Sequence, residues 1–257
     1  LEDVTDSEAE LHARRAASFG AQAQQYAEHR PDYPAAAIDW VLPDGVSDVL
    51  DLAAGTGKLT GSLLALGLTV TAVEPDPAML GELGKRFPAA TALPGTAERI
   101  PLDDCSVDAV MVGQAFHWFD VPKALSEIGR VLRPSGRVGA LWNHEDNRVP
   151  WVSGFDSMVR TGVSPGWAYP APLPDHPLFE PFERREFDHS VRRTAETMVA
   201  MVGTHSHMLV AGDEEREAIN ALMRNYLLDQ PETAQGEFDL PLRTFTYRAN
   251  RLFSPAA

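Results

Sequence analysis

The chain has 257 residues, 44% of them apolar, and sets 22 Lys and Arg against 37 Asp and Glu for a formal charge of −15. That is ample material for one large α/β core, and the negative balance repels a phosphate backbone, so no nucleic-acid partner is expected. There is no apolar run of about 18 residues and no charged-then-apolar leader, and the single cysteine, Cys105, permits no internal disulfide. Neither a membrane span nor a signal peptide is therefore expected, and the setting read from this is a reducing cytoplasm.

The first helix is expected to stop at Pro31-Asp32-Tyr33-Pro34. Phe19 lies upstream, and Tyr26 and Arg30 share one face of that helix until Pro31 ends it. A strand over 48–53 then breaks at Ala53-Ala54-Gly55-Thr56-Gly57 into a helix. Gly55 and Gly57 let the backbone turn tightly and approach a ligand with no Cβ in the way, while Asp51 at the strand end can accept from a donor group. Position 60 is Thr where a dinucleotide fingerprint needs its third glycine, which sets a nicotinamide dehydrogenase aside. A second strand over 69–74 ends in Glu74, 17 residues past Gly57, where a carboxylate can accept from both hydroxyls of a ribose.

The next helix is marked by Asp76 as cap, Pro77 in its first turn, a stripe of Met79, Leu80, Leu83 and Phe87, and Pro88 as stop. Strands near 91–95, 107–112 and 136–142 continue the alternation that a doubly wound sheet requires. From Pro150 to Pro181 there are seven prolines, which argue for a long excursion over the carboxyl ends of the strands, where open α/β sheets bind ligands. A strand near 182–189, helices near 194–204 and 213–229 and a strand near 240–248 follow. Ile219, Leu222, Met223, Tyr226 and Leu227 recur at helical spacing in the later helix and read as core.

Together, Asp51 to Gly57, Glu74, Gly95-Thr96-Ala97-Glu98-Arg99-Ile100-Pro101-Leu102, Val107-Asp108-Ala109-Val110 and Arg130-Val131-Leu132-Arg133-Pro134-Ser135-Gly136 resemble the class I S-adenosylmethionine-dependent methyltransferases. The likeness is to the small-molecule branch called methyltransferase type 11 and covers most of the chain. It implies a single α/β methyltransferase domain over 1–257, with a Rossmann-like doubly wound, seven-stranded, mostly parallel sheet carrying one antiparallel edge strand. An N-terminal lid helix would occupy 1–34, the cofactor-binding core 35–142, an acceptor-side insertion after strand five 143–181, and the completing strands and helices 182–257.

The resemblance also implies S-adenosyl-L-methionine as cofactor, held by Asp51, Ala53, Gly55, Gly57, Glu74, Pro75, Thr96, Ala97, Glu98, Gln114 and Phe116. Tyr26 and Arg30 would close over its methionine end, with the Arg30 charge meeting the carboxylate and a ring, Tyr26 or Tyr33, facing the sulfonium. Three positions depart from the family pattern. Ala53 stands where the motif opens with Gly, Thr96 where an Asp often holds the adenine amine, and Ser135 where Gly is usual. The adenine contact then rests on backbone groups near Ala97 and on Glu98.

Methyl transfer of this kind is displacement at a carbon already activated by the sulfonium. The protein's share is alignment, desolvation and, for a hydroxyl acceptor, a base. Two segments follow strands at the ligand-binding edge: Gln114-Ala115-Phe116-His117-Trp118-Phe119 and Trp142-Asn143-His144-Glu145-Asp146. His144, with acids beside it, Glu145 first, to raise its basicity or orient its tautomer, is preferred as base; His117 is the alternative. His117, Trp118, Trp142, Trp151, Trp167 and Tyr169 offer flat faces to a small-molecule acceptor. The order read from them is the hydroxyl of a sugar or polyol, then a carboxylate clamped by Arg148 or Arg160, then an aromatic hydroxyl. A domain that binds cofactor without turnover is the alternative of another class. No metal is expected. Glu145 and Asp146 could accompany a divalent cation, but adjacent loop acids are more often solvated, and His205 and His207, spaced like one face of an extended segment, have no third ligand.

Overall fold

The computed structural model describes residues 23–159 and 172–252. Phe19, Arg160, Trp167 and Tyr169 lie outside the described residues, as does the side chain of Tyr26. The chain divides into two compact units.

The larger unit holds residues 31–145, 172–189 and 242–252. It carries the strands β1 (Asp48–Leu52), β2 (Thr69–Glu74), β3 (Thr91–Pro94), β4 (Val107–Gly113) and β5 (Leu132–Glu145), with the greater part of β6 (Glu183–Arg193) and of β7 (Phe238–Asn250). They form one seven-stranded sheet in the order β3-β2-β1-β4-β5-β7-β6. The pairs from β3 through to β5 are parallel, and β7 runs antiparallel to β5 with β6 outside it. Alternation along the strands explains the two cores, because successive residues face opposite sides. Leu50, Leu52, Val110 and Val112 pack under the helix Val121–Val131 with Leu125 and Ile128. Val49, Ala109, Met111 and Leu141 pack under the helices Ala35–Val41 and Lys58–Ala65 with Ile38, Val41, Leu59 and Leu63.

β5 begins earlier than the apolar run suggests. Leu132 already pairs with Val107, the register then shifts, and Ser135 takes φ +63, so the Pro134-Ser135 corner is a bulge inside the strand. The helix Ala35–Val41 lies directly on the β5 backbone, where a Cβ built at Gly139 would overlap Val41 Cγ1. Gly139→Ala should cost roughly 1–3 kcal/mol by overpacking. Urea denaturation checks this, and an unchanged midpoint would mean the helix can move aside.

The smaller unit holds residues 23–30, 146–159 and 190–241. Its helices are Ala23–His29, Pro150–Met158, Ala195–Gly203, Ser206–Val210 and Asp213–Asp229. The excursion expected from Pro150 onward opens with a helix, Pro150–Met158. Proline at a first helical turn loses no intrahelical bond, and Trp151, Val152 and Phe155 then face inward. In the helix Asp213–Asp229 the buried stripe is narrower than expected: Ile219, Met223 and Leu227 are buried, while Leu222 is 54% exposed. Two arginines brace this unit at helix carboxyl ends, where a cation meets unpaired carbonyls. Arg193 Nη2 donates to the His29 carbonyl (2.7 Å) and Arg30 Nη2 to that of Thr204 (3.2 Å). No helix among the described residues is long and apolar enough to cross a membrane.

Candidate functional site

β1 has β2 on one side and β4 on the other, so the chain leaves its carboxyl end at the point where the strand order reverses, the position at which open α/β sheets form their ligand crevice. The backbone crosses this point with φ +56 at Ala53, +57 at Gly55 and +87 at Gly57, which caps the helix Lys58–Ala65. Gly57 is required twice over, by its left-handed φ and because a Cβ there would stand 2.7 Å from the Phe87 ring. Phe87, read from sequence as part of a helix stripe, thus plugs the underside of the glycine loop.

Asp51 is 1% exposed, and its Oδ2 accepts from the Thr60 hydroxyl at 2.6 Å, tying the strand end to the first turns of the following helix. Burial pushes its carboxyl up to about 7, against the hydrogen bonds from Thr60. A carboxyl raised on folding binds its proton more tightly in the native state, so it stabilises fully below the unfolded value near 3.8 and loses that contribution as pH rises through about 7. Asp51→Asn should therefore flatten the fall in stability between pH 4 and 7 and leave the variant more stable than wild type at pH 8. Equal slopes in urea titrations across that range would count against this.

Glu74 is 7% exposed at the end of β2. Its Oε2 accepts from the Gly55 amide and its Oε1 from the Asp76 amide, both at 2.9 Å. Burial raises this carboxyl too, with the two amides opposing the rise. The carboxylate thus holds the glycine loop and the turn after β2 in fixed relation, and Pro75 between them is exposed. On the far side, Thr96 is exposed, Ala97 buried and Glu98 half-buried, with Glu98 Oε1 accepting from the Asp120 amide (2.9 Å). That loop is stapled by the helix Val121–Val131: Arg130 donates to the Ile100 and Leu102 carbonyls, and Glu127 accepts from the Ile100 amide.

Beyond β4, Gln114 sits at φ +58 with its amide Nε2 donating to the Asn143 carbonyl at 2.8 Å. Phe116 is 1% exposed and belongs to the core behind the site. His117 is exposed and Trp118 half-buried against its ring. The Trp142 indole N–H donates to His117 Nδ1 at 3.3 Å. His144, half-buried at the end of β5, meets the Phe245 ring edge-on at 5.5 Å and pairs across the sheet with Arg243; Glu145 is also half-buried. Trp142 and Trp151 were expected as acceptor faces. At 6% and 5% exposure they are core rings instead, set edge-on to Tyr247 and Phe238 respectively. Arg148 grips Asp146 with two nitrogens (2.8 and 2.7 Å), which occupies the clamp suggested for a carboxylate acceptor. His205 and His207 lie at the start of a short helix and not on an extended segment, with His207 Nε2 3.1 Å from the Val159 carbonyl. Among the described residues no group of three His, Cys, Asp or Glu could hold a metal ion.

The crevice suits S-adenosylmethionine by its donor set. Glu74 retains lone pairs for ribose hydroxyls after accepting two amides, and two buried carboxyls without a described counter-cation suit a positively charged ligand. A Cβ built at Gly55 meets nothing within 4 Å, so the loop backbone faces open space. The Thr56 hydroxyl, 1% exposed, has no hydrogen-bond partner among the described residues, a buried group that a ligand can satisfy. Sequence alone assigns none of Thr56, Thr60 and Phe87 to the site: Thr60 enters it only as the missing third glycine and Phe87 only as part of a helix stripe. A hydroxyl between two loop glycines and another nine residues past the strand-end acid were the available signals.

Residues 50–139 match the family model of a methyltransferase domain, type 11. An uncharacterized methyltransferase of Mycobacterium tuberculosis is 41% identical over 238 residues, covering 90% of this chain and 95% of its own. An uncharacterized methyltransferase-like protein of Schizosaccharomyces pombe is 34% identical over 216 residues, covering 79% of this chain and 83% of its own. Among solved structures, a candidate type II methyltransferase from Anaeromyxobacter dehalogenans superposes with a TM-score of 0.63 at 25% identity, covering 88% of this chain and 99% of that one. With the glycine loop, the strand-end acid and the sheet order of the fold all in place, the chain belongs to the class I S-adenosylmethionine-dependent methyltransferases.

Proposed function

We propose that this methyltransferase acts on a hydroxyl of a small-molecule acceptor, a sugar or polyol first, with His144 as the base that takes the hydroxyl proton. The cofactor supplies a methyl carbon activated by its sulfonium. The chain's residues would hold it at Glu74, the glycine-loop amides and Thr56, and align the acceptor oxygen from the β5 side. The observation that carries the choice of base is the Trp142–His117 contact. An indole N–H is only a donor, so His117 Nδ1 must accept, and its proton then sits on Nε2. In that state His117 offers an acceptor oxygen a donor and not a lone pair. His144, at the carboxyl end of the neighbouring strand, is left as the base.

Ester formation on a carboxylate has less support, since Arg148 is already engaged by Asp146. The charge of −15 supports the reading of a small acceptor over nucleic acid. A screen of sugars, polyols, carboxylic acids and phenols with radiolabelled methyl donor, read by product mass, tests this. A methyl ester as the principal product would overturn it.

A further inference from the structure

Three segments of the sheet-bearing unit bond to Asn143, a residue 7% exposed near the carboxyl end of β5, and a fourth joins them through Thr244. Its Nδ2 donates to the Asp32 carbonyl at 3.1 Å, and its Oδ1 accepts from the Thr244 hydroxyl of β7 at 2.6 Å. Its own carbonyl accepts from Gln114, held at φ +58 after β4. The Thr244 oxygen lies 3.0 Å from His189 Nε2 of β6, and since its proton goes to Asn143, the His189 nitrogen donates. An isolated amide in an apolar strand is costly to bury, and this one has both ends of its side chain engaged.

What the amide holds is the strap Pro31-Asp32-Tyr33-Pro34. The Asp32 carboxylate reaches Lys58 Nζ (3.1 Å), the first residue of the helix after the glycine loop. The Tyr33 hydroxyl lies against Gly113 at the end of β4, 2.6 Å from where a Cβ would stand. The strap therefore runs along the carboxyl edge from the glycine loop to β4, across the crevice already assigned to the cofactor.

We propose that Asn143 is a positioning residue that fixes this strap over the cofactor crevice, so that the strap is a standing wall of the site whose placement sets cofactor affinity. The inference rests on the cofactor site described above. Asn143→Asp keeps shape and the acceptor for Thr244 but removes the donor to Asp32. Thr244→Val cuts the opposite bond and leaves the strap tether in place.

Calorimetry with S-adenosylhomocysteine, paired with thermal melts and hydrogen exchange, separates these roles. Asn143→Asp should weaken binding at least fivefold and speed exchange of the Asp32 and Tyr33 amides, while Thr244→Val lowers the melting temperature with affinity within twofold of wild type. Equal affinity in wild type and Asn143→Asp, or parallel losses of affinity and stability in both variants, would overturn the positioning role. Absence of binding by wild type would overturn the cofactor site itself and the proposal with it. Should Asn143→Asp not fold, the wild-type side-chain amide decides: the Asn143 Nδ2 protons should exchange far more slowly than those of exposed asparagines, and exchange at the exposed rate would refute the tether.

Discussion

Glu74→Ala should weaken binding of S-adenosylmethionine or its demethylated product by about 30- to 700-fold, the loss of two ribose hydrogen bonds to a carboxylate, worth roughly 2–4 kcal/mol. The same carboxylate also holds the Gly55 and Asp76 amides, so the alanine variant frees the glycine loop as well as removing a ligand contact. Glu74→Gln separates the two effects. Its amide oxygen can still accept one loop amide, and its nitrogen cannot accept from a hydroxyl, so the variant should fall between wild type and alanine in stability and near alanine in affinity. Calorimetry alongside urea denaturation reads both quantities. Wild-type affinity in the alanine variant would remove Glu74 from the site.

His144→Ala should lower turnover by about two to four orders of magnitude, the range of a positioned general base, with cofactor affinity close to wild type. His117→Gln should cost much less, because a Gln amide preserves the donor that the Trp142 contact directs toward the site. If His144→Ala were silent and His117→Gln inactive, the base would be His117 and the tautomer argument would fail. If both were silent, alignment alone would carry the reaction.

Much of the sheet was legible because its signals are local. β1 to β4 fall within two residues of their expected ends: β2, β3 and β4 close on Glu74, Pro94 and Gly113, and β1 runs into the Ala53-Ala54-Gly55 turn. The start of β5 was not legible, since Leu132 is in the strand only through its pairing with Val107, a contact no local pattern records. The helix Pro150–Met158 was hidden by counting Pro150 with the prolines that follow, though a lone proline at a helix start and a tract of prolines mean opposite things.

At the site, the convergence of Asp51, Gly55, Gly57 and Glu74 was legible because the turn and the two strand-end acids stand in sequence order. Their mutual bonds were not: Asp51 grips Thr60, and Glu74 grips Gly55 and Asp76. Counting aromatic residues suggested a flat-faced acceptor surface, yet burial, which composition does not contain, places Trp142 and Trp151 in cores. Asn143 stands in sequence between Trp142 and His144, residues with more obvious chemistry. A polar side chain following an apolar strand run was the one sign of the network it joins.

The central claim is that the crevice between the glycine loop and Glu74 holds S-adenosylmethionine and not a dinucleotide. Isothermal titration of the wild-type protein with S-adenosylhomocysteine and, separately, with NAD tests it most directly. Micromolar-range binding of the first with no measurable heat from the second is the expected result; tight binding of NAD, or no binding of S-adenosylhomocysteine by folded protein, would contradict it.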